Sequence, residues 1–320
     1  MVRRFFHIKL LVAGLLAAGA PWQAARAETG YPSFTSSEAG LARQDSVSEY
    51  SQRGMHFEAM VAAYEGTTEL SLGDKLSGAR SAWALGLVDT ARRLWDEALA
   101  TNNFDDIERH RALLARAIVE LQEGRFEDAR AIAERAANTL QASDLRAQLW
   151  LVIGEALREQ GAPSLAEGYY RKSIEDGSNE IQAEGRFLLA ECQLKLGRIN
   201  DARYTYAALD SRSKFTPRAL RRLAEIDLTQ RNFEGVITWI EEGRELGTAD
   251  LQDGWSSYAL IAAFTELGRI DDAEKELLSL KTRHTDQDRW YTLSEAAVTA
   301  SVVRPMLSQA RASMKGPEHE

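Results

Sequence analysis

Along most of this chain the apolar residues return at helical spacing, and no stretch alternates apolar and polar residues with a sustained period of two. One such stretch is Trp150-Leu151-Val152-Ile153-Gly154-Glu155-Ala156-Leu157, followed after Gly161 by Ala166-Glu167-Gly168-Tyr169-Tyr170. Each pair of this kind predicts two helices joined by a short turn. Pro163 and Pro217 are the only prolines between Phe34 and Arg304, and both fall at predicted helix starts, where proline is tolerated. The fold class implied is all-α.

The turn itself recurs. Gly54, Gly86, Gly124, Gly161, Gly197, Arg231 and Gly268 stand 32, 38, 37, 36, 34 and 37 residues apart. Five residues after each comes a small or slim side chain: Ala59, Ala91, Ala129, Ala166, Ala202, Val236 and Ala273. Glycine suits the left-handed backbone that ends a helix. The alanine is placed to face the first helix, where its lack of bulk lets the two axes approach. Four residues further on, Trp95, Tyr170, Tyr206 and Ile240 are bulky enough to fill the space between repeats.

This pattern resembles the tetratricopeptide repeat, a helix–turn–helix unit of roughly 34 residues. The fourth hairpin matches the family's register most fully, with Trp150, Ile153, Gly154, Leu157, Ala166 and Tyr170 at positions 4, 7, 8, 11, 20 and 24. The third, fifth, sixth and seventh match mainly at the small residues of positions 8 and 20. The sixth departs most, with Arg231 in place of the turn glycine and Val236 in place of the alanine. The resemblance implies a right-handed superhelical solenoid of six to seven hairpins over residues 46–285.

The two ends read differently. Arg3, Arg4 and Lys9 precede the uncharged run Leu10–Ala20, and Ala25-Arg26-Ala27 supplies a small-x-small cleavage pattern. That order predicts a secretory signal peptide over 1–27, cut after Ala27, of bacterial character and leading to the periplasm, with full secretion as the alternative. Its removal takes four positive charges and moves the formal charge from −9 to −13. No cysteine lies near the cut to carry a lipid, and no later run approaches the ~18 apolar residues of a transmembrane helix. Residues 28–45 read as a flexible lead-in. Residues 286–314 read as one or two longer helices that Pro305 would kink or break. They are the natural terminal cap, with a polar outer face. Residues 315–320 read as a disordered tail.

Composition narrows the chemistry. With 44% hydrophobic and 27% charged residues the chain is of the globular soluble type. Forty-eight Asp+Glu against 39 Lys+Arg, with no basic run, argue against nucleic acid as a partner. The single Cys192 excludes an internal disulfide and reads as a buried structural thiol. His56, His110 and His284 read as solvated turn or helix-start residues, and no His-Glu-x-x-His, Gly-x-Ser-x-Gly or phosphate-binding glycine loop occurs. Asp105-Asp106, Glu241-Glu242 and Asp271-Asp272 lack calcium-loop spacing and read as helix-end residues. No metal, cofactor or catalytic residue is expected.

The resemblance implies a groove lined by positions 2, 5, 9, 12 and 13 of each first helix. Position 5 gives Leu114, Leu151, Phe187, Arg221 and Tyr258, and position 9 gives Glu155, Glu191 and Glu225. As a groove, this is an apolar stripe edged by carboxylates, with Phe187 and Tyr258 as anchors and the glutamates as a rim for a basic partner. As packing, Leu114, Leu151 and Phe187 lie between repeats. The basic cluster Arg218-Arg221-Arg222 either meets an anion or forms a solvated face paired with Glu225. The functional expectation is a non-catalytic periplasmic adaptor for another protein of the cell envelope. A self-assembling scaffold or an accessory subunit of an envelope machine is the alternative.

Overall fold

A computed structural model of the protein describes residues 46–65, 70–101, 104–247, 249–283 and 289–314. The expected signal peptide, the lead-in, His284 and the tail 315–320 lie outside the described residues. Those residues form fifteen α-helices and a 3-10 turn, and no strand occurs among them.

The helices pair as expected. The first two hairpins are α1 (Val47–Gln52) with α2 (His56–Glu65), and α3 (Leu72–Ala84) with α4 (Val88–Leu99). The third and fourth are α5 (Asp106–Gln122) with α6 (Phe126–Ala137), and α7 (Asp144–Glu159) with α8 (Pro163–Asp176). The fifth and sixth are α9 (Asn179–Lys195) with α10 (Ile199–Ala207), and α11 (Thr216–Thr229) with α12 (Phe233–Glu245). The seventh is α13 (Gly254–Glu266) with α14 (Ile270–Arg283), followed by α15 (Arg289–Met314).

Every hairpin turns at the residue the sequence singled out. Six of the seven turn residues are glycines with φ between 73° and 82°, and the seventh, Arg231, has φ 60°. Each turn closes with the same bond, a backbone N–H donating to the carbonyl five residues earlier: Leu87 to Ala82, Arg125 to Glu120, Asn232 to Asp227. This is the Schellman closure of a helix end. The small residues five positions after the turn residues, Ala59 through Ala273, are all fully buried. Close approach is clearest in the fourth hairpin, where a Cβ on Gly154 would lie 2.5 Å from Cε1 of Tyr170.

The chain divides into two compact units, one ending at Gly177 and one starting at Ser178. In the first, Met60, Ala79, Leu94, Trp95 and Val119 share one core, with Trp83 edge-on to Trp95 at 6.1 Å. In the second, Phe187 packs between Tyr206 at 5.6 Å and Phe215 at 5.8 Å. Cys192 is buried.

The last helix takes the single-helix form of the expectation, running through Pro305 from Arg289 to Met314. Its N-terminal part packs on α13 and α14, burying Tyr291, Ser294 and Val298. Further along, Val302, Val303, Met306 and Leu307 are exposed, so the outer face is not the polar one expected of a cap. The local reason is composition: between Ala296 and Met314 the charged residues are Arg304 and Arg311 alone.

Candidate binding surface

The first-helix positions expected to line a groove have different fates in the two units. In the first unit Leu114 and Leu151 are fully buried, so they serve as packing between helices. Glu155 is also buried, at 1% exposure, and is not a rim charge. The reason is local. Tyr170, fifteen residues on, donates its hydroxyl to Glu155 Oε1 at 2.5 Å, and Arg158, one helical turn along, donates to both carboxylate oxygens at 3.0 and 2.6 Å. Burial works against the Arg158 cation, but the Glu155 carboxylate outweighs it and holds the guanidinium above its usual range.

The second unit repeats the lock in a looser form. Tyr206 donates to Glu191 Oε1 at 2.5 Å, and Arg222 pairs with Glu191 at 2.8 Å and with Glu225 at 2.8 Å. Burial first, then the Glu191 charge, push the Tyr206 hydroxyl well above its usual range. Glu191 and Glu225 are therefore neutralised within the fold, which removes the charge excess expected at a rim. Phe187 is buried beneath Tyr206 and Phe215, and the Arg218 guanidinium lies 4.4 Å above its ring, so its faces are taken.

What remains accessible in the second unit is a run of guanidiniums and aromatic rings. Arg218 and Arg221 stand three apart on α11 and share a face. Arg221 lies 4.5 Å over the ring of Trp255 and bonds Asp253 at 2.8 Å. Trp255 and Tyr258 stand three apart on α13, and Tyr258 packs 5.4 Å from Trp290 of α15, which Arg289 covers at 4.5 Å. Trp255, Tyr258 and Trp290 are half-buried, each showing part of a ring. Asp253 caps α13 through the Ser256 N–H at 3.0 Å. Burial opposes its charged form, yet Arg221 and Ser256 hold its carboxyl below the usual range.

Of the eight expected groove residues, the structure links Glu191, Arg221 and Glu225 into one network and places Tyr258 beside it. Leu114, Leu151, Glu155 and Phe187 are buried. Arg218 stands in the basic cluster named from the sequence, while Trp255 has no such mention, although both occupy position 2 of their first helices, a groove position. Trp290 lies within 286–314, a segment the sequence marks only as helix. Among the described residues no cluster of three or more His, Cys, Asp or Glu could hold a metal ion. No helix among them is long and apolar enough to cross a membrane.

A tetratricopeptide repeat family model matches residues 76–144, spanning α3 to the start of α7. That segment carries the tetratricopeptide repeat. The match falls on the second and third hairpins, whereas the fourth carries the fuller motif. Among solved structures, this chain is similar to the apo form of RapI, at 14% identity, over 84% of this chain and 83% of that one, with TM-score 0.55. It is also similar to PilF of Pseudomonas aeruginosa, at 18% identity, over 64% of this chain and 91% of that one, with TM-score 0.51. At these identities the likeness is one of fold. No curated protein matches the sequence.

Proposed function

We propose that this protein is a non-catalytic adaptor that binds a partner protein through the first-helix face of its second unit. The repeat fold is one that serves protein–protein contact. The observation that carries the reading is the ladder in which Arg221 stacks on Trp255 and Tyr258 packs on Trp290. Rings held this way offer contact area at little cost in side-chain entropy, and Trp, Tyr and Arg are the residues that dominate binding hot spots. We place its work in the bacterial periplasm, in a complex of the cell envelope. The order of basic residues, apolar run and Ala25-Arg26-Ala27 supports export.

A photo-reactive residue at Trp255 or Tyr258, introduced in the native host, tests the reading. It should crosslink one partner protein, and the same group at the exposed Tyr204 of α10 should not. Equal labelling from all three positions would sink the assignment of the face. A second reading, self-association, is favoured by the exposed Val302, Val303, Met306 and Leu307 of α15. Sedimentation over a concentration series distinguishes it, since a monomer at all concentrations excludes it.

A further inference from the structure

On the second-helix side of the first unit lies a cleft of about 440 Å³, lined by Arg92, Arg116, Glu120, Arg125, Asp128 and Arg135 among others. Glu120 is fully enclosed. It accepts from Arg92 Nε at 3.1 Å and is also paired with Arg116 and Arg125. One carboxylate thus faces three guanidiniums. Arg92 and Arg116 each reach a second carboxylate, Asp89 at 2.8 Å and Asp96 at 2.9 Å, and both of those acids are exposed to solvent. Arg125 Nη2 is buried with no hydrogen-bond acceptor. Arg135 has no carboxylate partner among the described residues; its Nε donates to the Ala131 carbonyl. The lining carries four guanidiniums with the carboxylates of Glu120 and Asp128, and Asp89 and Asp96 hold Arg92 and Arg116, so the donors left over for a ligand are those of Arg125 and Arg135.

Holding a buried acid at this register requires less. Asp227, also four residues before its turn residue, is held by Arg203 and the indole N–H of Trp239. The additional arginines of the third hairpin exceed what the fold needs there.

We propose that this cleft binds a small molecule carrying two or more oxyanion groups, carboxylate or phosphate, recognised by Arg125 and Arg135. Its volume lies in the range of small-molecule sites, about 300–1,000 Å³. Guanidinium forks match the planar edges of carboxylate and phosphate. The site is separate from the first-helix face of the second unit, and the inference does not depend on it.

Calorimetric titration of the purified full chain with citrate and with pyrophosphate tests the proposal. Saturable one-to-one binding of at least one of them is expected, weakening as salt is raised. The Arg125→Ala/Arg135→Ala double variant should bind at least tenfold more weakly, while Arg171→Ala, on the outer side of α8, should bind as the parent does. The tighter of the two anions identifies the carboxylate or the phosphate source. Should the double variant melt early, Arg135→Ala alone, which removes an exposed side chain, must still weaken binding. No saturable binding of either anion, or equal binding by every variant, overturns the proposal.

Discussion

Glu120 in the third hairpin and Asp227 in the sixth stand four residues before their turn residues, and each accepts from an arginine six residues past the preceding turn, Arg92 or Arg203. Around that shared pair the two hairpins diverge. Eight residues past the turn the sixth has Trp239, whose indole donates to Asp227 Oδ2 at 2.7 Å, and the third has Ile132, which cannot donate. Eight residues before the turn the sixth has the buried Leu223 and the third has Arg116. At the turn's far side Asn232 stands where the third hairpin has Arg125, and Glu242 where it has Arg135. The repeat register dictates where an acid and its first arginine go. Positions outside the register decide whether the surrounding space is filled with an indole and a leucine or left as an arginine-lined cleft.

The comparison breaks most directly at the acids. Asp227→Ala strips Arg203 and the Trp239 indole of their acceptor in a closed setting and should cost about 3–5 kcal/mol in urea unfolding. Glu120→Gln should cost less, because Asp89 and Asp96 still hold Arg92 and Arg116. Equal losses would mean that the open cleft and the closed one are energetically the same structure.

Next in size is the residue four past each turn. A Cβ at Gly235 would collide with Asp227 Oδ2 and with Asn232 Nδ2, so Gly235→Ala should cost about 1–3 kcal/mol. Asp128, its counterpart in the third hairpin, is exposed, and Asp128→Ala should stay within about 0.5 kcal/mol. A harmless Gly235→Ala would show that the sixth hairpin is looser than its contacts imply.

The turn residues themselves differ by less. A left-handed conformation costs a residue with a Cβ about 1–2 kcal/mol. Arg231→Gly should therefore stabilise the sixth hairpin by about 1 kcal/mol, reduced slightly by loss of the exposed Arg231–Glu266 pair at 3.0 Å. Gly124→Ala should destabilise the third by a similar amount. Thermal melts of the two variants, moving in opposite directions, check both.

The smallest effect is the acid dependence of an ion pair outside both clefts. Arg146 donates to both carboxylate oxygens of Asp176 at 2.7 Å and holds its carboxyl below the usual range. A depressed folded value means the stabilisation is complete above the unfolded pKa, ~3.9, and fades as the pH falls through the folded one. Asp176→Asn should flatten the stability profile below about pH 4 and leave its shape near neutrality unchanged. A profile with the same acid slope as the parent would remove Asp176 from the account.

Much of the fold was legible because its rules are local. A turn that needs φ near 75° selects glycine, and two helix axes in close approach select alanine, so the spacing of those residues located all seven hairpins. Even the exception at Arg231 took the same conformation, since the flanking helices and the Asn232-to-Asp227 bond impose it. The proposed binding face was only partly legible. The register singled out Arg221 and Tyr258, which are half-buried, and pointed at position 2, but it could not tell a groove carboxylate from an internal one.

Sequence by itself determined the all-α class, the place of the hairpin turns, and which small residues lie between paired helices. Each of these follows from backbone conformation and from spacing along one helix. Only the tertiary structure decided that Glu155 closes inward on Tyr170, that Phe187 is covered by Tyr206 and Phe215, that Arg221 lies flat on Trp255, and that four arginines meet at one cleft. Those outcomes turn on side chains from different helices competing for the same space and the same charge, and no periodicity along the chain encodes which of them prevails.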